Sequence, residues 1–350
     1  MAEKMKVISV TGIKEVQIIE CDKPVPGPYE VVVKLKAVAL CTAEQRAYLG
    51  IRNTGYPVIG GHEASGIVEA VGPNVFNCKV GDHVSGTFNY CGACEYCKRG
   101  QGTKCSSGRK GVRRVPIADG TVIGGGMAQY IIAPAVQICP HGEGISHKHA
   151  SLTEPLGCCI HSVNKARIEF GDTVIIIGAG IMGLLHAKLC RMKGARVVVS
   201  EPDAVRRQKA LDFGANIAID PLAVDPVEYI KSITNGQGAT VVVNTTSLSA
   251  TWEQAIAMVA PYGRIMLYSS QHPDNPIGVK MGDMHTREFE MIGTVSPSAD
   301  DFVQASRLMS YGLIDMEPVV DSCFPFSQAA EAFERACAPD SYRVIILHDE

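Results

Sequence analysis

The segment TVIIIGAGIMG, residues 173–183, constrains the fold more than any other stretch of this chain. It joins an apolar run of strand type to a GxGxxG motif that opens a helical pattern. The first glycine allows a tight turn, the second admits a phosphate close to the backbone, and the third lets helix and strand pack closely. A pyrophosphate would bind at the positive end of the helix. The predicted cofactor-binding residues of this motif are Gly178, Gly180, Ile181, Met182 and Gly183.

The rest of the chain shows two different patterns of strand-like and helical segments. Apolar runs alternate with helical patterns from about residue 171 to 295, which predicts a parallel sheet with crossover helices. Residues 1 to about 150 are short strand-like runs cut by Gly and Pro, which is typical of a compact all-β unit. The closing strand SYRVIILHD fits either unit.

The second strand of the alternating region ends at Glu201. An acidic side chain there can accept hydrogen bonds from the adenosine ribose and repel a 2′-phosphate, so NAD is favoured over NADP. The alternative is a solvated glutamate at a strand end. Arg206 and Arg207 follow closely and could offset the repulsion, so Arg206 is included in the predicted cofactor site.

Four cysteines lie in CGACEYCKRGQGTKC, residues 91–105. Four thiolates so close together can fill a tetrahedral zinc shell, which leaves no position for a substrate and makes the zinc structural. An iron–sulfur cluster or a redox dithiol pair remain alternatives for this spacing. The predicted ligands are Cys91, Cys94, Cys97 and Cys105.

A catalytic metal needs mixed ligands and an open position. Thiolate, imidazole and carboxylate are each good zinc donors, although a lone cysteine is more often a small core residue and a lone histidine a satisfied polar group. The candidate ligands are Cys41, His62, Glu63 and Glu154.

Taken together, these motifs resemble the zinc-dependent medium-chain alcohol dehydrogenases over essentially the whole chain. The resemblance implies an α/β protein with a GroES-like β-rich catalytic domain at 1–155, completed by 296–350, and a Rossmann doubly wound NAD-binding domain at 156–295. It also identifies the cysteine lobe as a structural zinc site. The motifs stand in family order: Cys41, GGHEASGIVEAVG, GDHV, the cysteine lobe, GGGMAQY, TEPLGCCIHSV and GAGIMG.

Within that family, TEPLG is similar to the sorbitol and threonine dehydrogenase branch, and MHTREFEMIGTV to a polyol dehydrogenase segment. The resemblance implies that Cys41 and His62 bind a catalytic zinc, with Glu63 and Glu154 binding directly, through water or in exchange. Two zinc ions per chain are expected. The implied reaction is oxidation of a secondary alcohol of a polyol or sugar-like substrate to a ketone, with hydride transfer to NAD.

CTAEQRAYLG, residues 41–50, departs from the family pattern. Relatives commonly have a hydroxyl residue where this chain has Ala43, an aspartate at Glu44 and a histidine at Arg46. Arginine does not titrate near neutral pH, so the usual proton path is altered. Thr42 could supply the hydroxyl, or a water chain could end at Glu44.

Arg46 suggests a second role for this stretch. A guanidinium binds carboxylate or phosphate in bidentate fashion, so the substrate could be a sugar acid, a polyol phosphate or an amino acid. The alternative is an arginine that pairs with Glu44 or points to solvent. The altered relay also motivates a different function, a catalytically impaired NAD-binding scaffold or sensor that retains the structural zinc.

Composition limits the remaining possibilities. The chain is 46% hydrophobic and 20% charged with a formal net charge of −3, which describes a globular protein without a basic field for nucleic acid. No apolar run reaches the roughly 18 residues that a membrane helix needs. Thirteen cysteines without a secretion signal predict reduced thiols in a cytoplasmic protein. The resemblance implies a homodimer or homotetramer acting on a small-molecule alcohol.

Overall fold

The computed structural model describes residues 3–51, 55–87, 90–107, 115–116, 122–123, 125–142, 144–271 and 274–348. The chain forms two compact units. Unit 1 comprises Met1–Gly157 and Pro297–Glu350, and unit 2 comprises Cys158–Ser296. Within the described ranges, none of the helices combines the length and the apolar character needed to cross a membrane.

The described residues form seventeen strands and eleven α-helices. The strands are β1 Lys4–Gly12, β2 Glu15–Asp22, β3 Glu30–Ala39, β4 Glu63–Val71, β5 His83–Thr87, β6 Val115–Pro116, β7 Val122–Ile123, β8 Tyr130–Pro134, β9 Ile138–Pro140, β10 Thr173–Ile177, β11 Arg196–Ser200, β12 Ile217–Ile219, β13 Ala239–Asn244, β14 Val259–Leu267, β15 Glu290–Gly293, β16 Val320–Pro325 and β17 Arg343–Leu347. The helices are α1 Thr42–Tyr48, α2 Glu95–Lys98, α3 His147–Ala150, α4 Thr153–Lys165, α5 Ile181–Met192, α6 Ala204–Asp212, α7 Pro226–Ile233, α8 Ser249–Met258, α9 Met281–Arg287, α10 Ala299–Ser310 and α11 Ala329–Ala336.

Unit 1 is built on a seven-stranded sheet in the order β16-β17-β3-β4-β5-β9, with β8 also pairing with β3. All of its pairings are antiparallel except that of β16 with β17. The C-terminal strand β17 lies between β16 and β3, which places SYRVIILHD in unit 1. Its core holds buried apolar residues from distant parts of the chain, among them Val7, Leu35, Met127, Phe333 and Val344.

Unit 2 is built on a six-stranded parallel sheet in the order β12-β11-β10-β13-β14-β15. Counted within the unit, this is the order 3-2-1-4-5-6 of a doubly wound nucleotide-binding sheet. The strand order reverses between β10 and β13, and ligands of such sheets bind beyond the carboxyl ends of the strands at this switch point. The predicted parallel sheet with crossover helices is confirmed.

The turn from β10 into α5 depends on two glycines. Gly178 has φ +96°, a conformation that favours glycine. A Cβ on Gly183 would lie 2.0 Å from the carbonyl oxygen of Gly178, so no side chain fits between the helix and the turn. At Gly180, the N-cap of α5 with φ −69°, a Cβ would meet no heavy atom within 4 Å.

We expect Gly183→Ala to lower the free energy of unfolding of unit 2 by about 1–3 kcal/mol, because the backbone must shift to admit a methyl group. Gly180→Ala is the matched control and should change it by no more than about 0.5 kcal/mol. Trp252 is the single tryptophan and lies in the core of unit 2, so its fluorescence during denaturant unfolding reports on this unit. Equal midpoints for the two variants would contradict the packing argument.

Candidate metal centre and nucleotide site

The candidate metal centre begins at the N-terminus of α1. Cys41 is the N-cap of this seven-residue helix, and its backbone N–H donates to Glu44 Oε2 at 3.2 Å. The Glu44 side chain therefore folds back over the start of the helix. It is buried, with 8% of its surface exposed.

The other oxygen of Glu44 reaches the segment before β4. Glu44 Oε1 accepts from the backbone N–H of Gly61 at 3.1 Å and lies 3.2 Å from His62 Nδ1. A Cβ on Gly60 would lie 2.8 Å from Glu44 Oε1, so this approach needs a glycine there. An ionised carboxylate only accepts hydrogen bonds, so His62 Nδ1 carries a proton and Nε2 is the nitrogen that can bind a metal.

The pKa values of Glu44 and His62 shift in opposite directions. Burial alone would raise the pKa of Glu44, but the charge and hydrogen bond of His62 and the Gly61 N–H lower it below its ordinary value. Burial alone would lower the pKa of His62, but the charge of Glu44 and hydrogen bonds to Cys41 and Glu44 raise it well above its ordinary value. Without a metal ion, these surroundings favour a positive charge at His62, and a cation that binds Nε2 would displace this second proton.

Glu63, the first residue of β4, is fully buried. Its Oε1 lies 2.9 Å from Nη2 of Arg343, but without hydrogen-bond geometry, and neither oxygen has a hydrogen-bond partner among the described residues. Burial is the main cause that raises the pKa of Glu63 to about 7. The positive charges of Arg343 and His62 lower this pKa, whereas the negative charges of Glu154 and Glu44 raise it. A buried carboxylate with unsatisfied oxygens is a suitable ligand for a cation.

Arg343 is the residue at this site that no sequence motif indicated. It begins β17, is 3% exposed, and its Nη1 donates to the carbonyl oxygen of Leu40 at 3.1 Å. The pairing of β17 with β3 therefore sets a cation beside Glu63. A prediction that Arg343 lies at this site would have required the register of β17 against β3, which the sequence does not show.

Cys41, His62 and Glu63 offer a sulfur, a nitrogen and an oxygen that lie within 4.8 Å of one another. This donor set fits zinc, and the carboxylate behind His62 is the usual outer partner of a metal-binding imidazole. Burial, with the charge of Glu63, raises the pKa of the Cys41 thiol, while Arg343 and His62 oppose this. The residues present thus fit a divalent ion that would displace the thiol proton.

Glu154 lies close to this set but is not one of the three mutually close ligands. It stands in the first turn of α4, and its negative charge raises the pKa values of Glu63 and Arg343. Thr153 holds the start of α4 in place, because its buried hydroxyl donates to the Ala150 carbonyl oxygen at 2.7 Å and accepts from Ser85 Oγ at 2.9 Å.

Thr42 and Arg46 lie four residues apart and share one side of α1, whereas Glu44 points to the other side. Thr42 is exposed and Arg46 is half-buried. Oε2 of Glu44 accepts from Cys41, and Oε1 accepts from Gly61 and His62, so Glu44 positions the imidazole. The structure gives no support to a water chain that ends at this buried carboxylate.

The cysteine lobe brings its four sulfurs within 4.8 Å of one another. The Sγ atoms of Cys91 and Cys97 are 4.0 Å apart, and those of Cys94 and Cys105 are 3.8 Å apart. Sulfurs about 2.3 Å from one tetrahedral ion lie about 3.8 Å from each other, so the lobe fits a single ion. Backbone N–H groups lower the pKa of Cys94 to about 6, which favours the thiolate that a metal binds.

The nucleotide site of unit 2 has its acidic residue at the predicted strand end. Glu201 follows β11 and is 7% exposed. Its Oε2 accepts from the Ala179 N–H at 2.8 Å and its Oε1 from the Asp203 N–H at 3.0 Å. The carboxylate is thus anchored to the glycine turn, and it retains lone pairs for further donors.

The other predicted cofactor residues lie around the same turn. Ile181 and Met182 form the first turn of α5 and are partly exposed. Arg206 is in α6, where its backbone N–H donates to the capping side chain of Asp203 at 2.8 Å. Arg207 Nη1 donates to the carbonyl oxygen of Glu201 at 2.8 Å and forms an ion pair with Asp220 Oδ2 at 3.3 Å.

Two family descriptions match the chain. The alcohol dehydrogenase GroES-like domain matches residues 27–143, and the zinc-binding dehydrogenase family matches residues 182–311. Together they cover parts of both units, and they confirm the predicted α/β class with a GroES-like and a Rossmann part.

Curated relatives match over nearly the whole chain. D-arabitol-phosphate dehydrogenase of Enterococcus avium is 30% identical over 99% of this chain and 98% of its own length. L-threonine 3-dehydrogenase of Pyrococcus furiosus is 31% identical over 99% of both chains. Among solved structures, a zinc-binding dehydrogenase of Sinorhizobium meliloti bound to NADP has a TM-score of 0.87 and 26% identity over 99% of both chains.

We expect Glu44→Gln to weaken metal binding at the Cys41 site about 10- to 100-fold, because His62 loses its carboxylate partner. Glu95→Gln is the control, since Glu95 is an exposed glutamate beside the cysteine lobe that pairs with Arg99. Metal content after dialysis against graded chelator is the measurement. Glu44→Gln should release one ion per chain at a lower chelator concentration than the control. Identical release curves for the two variants would contradict the role of Glu44 in positioning His62.

Proposed function

Since the chain belongs to the zinc-dependent medium-chain alcohol dehydrogenases, we propose that it oxidises a secondary alcohol of a sugar-like, anionic substrate to a ketone, with hydride transfer to NAD. Its homologues are dehydrogenases that act on CH–OH donors, which makes this chain an enzyme of that class. The observation that carries the proposal is the Cys41, His62 and Glu63 ligand set in a chain that also contains the 3-2-1-4-5-6 nucleotide sheet.

In the proposed site, Cys41, His62 and Glu63 would hold a zinc ion, and Glu154 would bind it through water or in exchange. The bound zinc would acidify the substrate hydroxyl and stabilise the alkoxide, and the nicotinamide would accept the hydride. Glu44 keeps His62 in the tautomer whose Nε2 can bind. Arg343 offsets part of the negative charge of Glu63. We propose that a second, structural zinc is held by the cysteine lobe.

The proton of the substrate hydroxyl needs a path to solvent that avoids Glu44. Glu44 is buried, and the charge of His62 together with the Gly61 N–H lowers its pKa, which disfavours it as a proton acceptor. Thr42 is exposed at the start of α1 and has a hydroxyl that can pass a proton through water. We therefore assign the relay to Thr42 and solvent.

Arg46 is the proposed recognition group for an anion on the substrate. It replaces a residue type that titrates with one whose planar fork suits carboxylate or phosphate. The names of two relatives point to the same substrate class, since an arabitol phosphate and threonine each have an anionic group. Sugar acids, polyol phosphates and amino acids with a secondary alcohol are the candidate substrates.

The proposal makes Arg46 a determinant of KM. In a screen of secondary alcohols, polyols, polyol phosphates, sugar acids and hydroxy amino acids, we expect NADH production with an anionic member. For that substrate Arg46→Ala should raise KM about 10- to 100-fold, the loss of a charged hydrogen bond. Arg46→Lys keeps the charge but loses the planar guanidinium, so its KM should lie between those of wild type and Arg46→Ala.

A neutral polyol is the substrate control, and its KM should be nearly the same in all three proteins. An unchanged KM of Arg46→Ala for the anionic substrate would refute the anion role but leave the dehydrogenase proposal standing. If the protein has one zinc per chain and reduces no NAD with any substrate, it is the scaffold or sensor instead.

The choice of NAD rests on Glu201. The carboxylate is held at the glycine turn by the N–H groups of Ala179 and Asp203, where a 2′-phosphate would meet its charge. The relative from Sinorhizobium meliloti was solved with NADP, so the preference of this chain needs its own test.

We expect Glu201→Ala to reduce the ratio of kcat/KM for NAD over NADP at least about tenfold, because the mutation removes the repulsion of the 2′-phosphate. Asp203→Asn, a change at the cap of α6 that leaves Glu201 in place, is the control. A wild-type enzyme that uses NADP as well as NAD would show that Glu201 does not select the cofactor.

A further inference from the structure

Three histidines of unit 1 converge at a place that neither the dehydrogenase chemistry nor the cysteine lobe uses. His83 begins β5, His141 follows β9 and His147 begins α3. Each offers a ring nitrogen, and the three nitrogens lie within 4.8 Å of one another. The ring centroids are 5.9 Å apart for His83 and His141, 4.9 Å for His83 and His147, and 5.7 Å for His141 and His147.

The hydrogen bond of His141 determines which of its nitrogens is available. Nδ1 lies 3.2 Å from the carbonyl oxygen of Gly142. A carbonyl only accepts, so Nδ1 carries the proton and Nε2 has the lone pair. This Nε2 is buried and has no hydrogen-bond partner in the part of the chain that the structure describes.

His147 is arranged in the same way. Ser65 Oγ donates its one hydrogen to the His147 carbonyl oxygen at 2.8 Å, and it lies 3.0 Å from His147 Nδ1. At Nδ1 the serine must therefore accept, so Nδ1 carries the proton. His147 Nε2 is buried and likewise lacks a hydrogen-bond partner within the described ranges.

Two buried, unsatisfied lone pairs in one cluster are costly unless something binds them. A proton is a poor candidate. Burial lowers the pKa of His141, and burial with the charges of His141, His83 and Lys36 lowers the pKa of His147 to about 4. Both rings are therefore neutral at pH 7, which is the form that binds metals.

We propose that His83, His141 and His147 form a third metal site, which binds a divalent ion of the zinc, cobalt and nickel class. Metal-binding histidines usually donate their other N–H to a carbonyl or a similar acceptor, as His141 and His147 do here. Imidazoles that share one tetrahedral zinc have ring centres about 5 Å apart, close to the observed spacing.

Closure of the site requires at most a small movement. Even at the 4.8 Å limit of their separation, the three nitrogens would each lie about 2.8 Å from a central ion, against about 2.0–2.1 Å in a zinc site. His83 is exposed and its ring is within 13° of parallel to that of His147, so it is the ring that can turn to aim its nitrogen. The fourth position is left to water.

The ligand set predicts how tightly the ion is held. Three neutral imidazoles supply no negative charge, and Lys36 adds a positive charge near His147. The site should therefore lose its ion to a chelator before either cysteine-containing site does. A bound ion would link β5, the segment after β9 and α3, and so would stabilise unit 1 against unfolding.

The test is a Co²⁺ titration of the zinc-loaded full chain, followed by metal analysis and absorption spectroscopy. Wild type should bind one Co²⁺ beyond its zinc, with ligand-field bands but no thiolate charge-transfer band, because no cysteine takes part. His147→Asn should abolish this binding, since the amide can still donate to Ser65 but offers no nitrogen at the Nε2 position. His149→Asn is the control on the same helix, where His149 pairs with Glu317.

His83→Ala is a second variant for the case in which His147→Asn does not fold. Because His83 is exposed, its replacement should not disturb folding. It should weaken Co²⁺ binding at least about tenfold and leave the dehydrogenase activity unchanged, which separates this site from the proposed catalytic one. Equal Co²⁺ binding by wild type, His83→Ala and His147→Asn would overturn the proposal. So would a thiolate charge-transfer band in the added ion's spectrum.

Discussion

The burial of two carboxylates in unit 1 is the constraint on which the candidate metal centre depends. Glu44 and Glu63 are both almost completely enclosed, and a charge removed from water is stable only when partners replace the water. Glu44 is satisfied by two backbone N–H groups and by His62. Glu63 has Arg343 beside it but no hydrogen bond from a described residue. The two unsatisfied oxygens of Glu63 explain why the site suits a cation.

The sequence predicted much of the fold because its strongest patterns are local. The strand, glycine turn and helix at residues 173–183 imply a doubly wound sheet, and six parallel strands in the 3-2-1-4-5-6 order are what the structure contains. The four cysteines lie within 15 residues, so their spacing alone suggested one cluster. Family resemblance brought Cys41, His62 and Glu63 together, since His62 and Glu63 lie 21 and 22 positions after the cysteine.

The features that the sequence did not predict depend on contacts between residues that no motif or fixed sequence spacing connects. Arg343 meets Leu40 across 303 residues because β17 pairs with β3, and only the folded register shows this. Glu44 was a candidate end of a water chain because its type suggested a proton acceptor. The atoms around it, which a sequence does not display, indicate an anchor for His62 instead. His83, His141 and His147 form no motif and come from three separate elements.

The position of β17 also bears on the order in which the protein is made. The ribosome completes residues 158–296 before it reaches Arg343, and a strand that lies between β16 and β3 cannot be supplied by any earlier part of the chain. During synthesis, unit 2 can therefore fold while the sheet of unit 1 still lacks an interior strand. The guanidinium that lies beside Glu63 is translated only after all of unit 2, so the centre around Cys41 and His62 is complete only once residue 343 has been added.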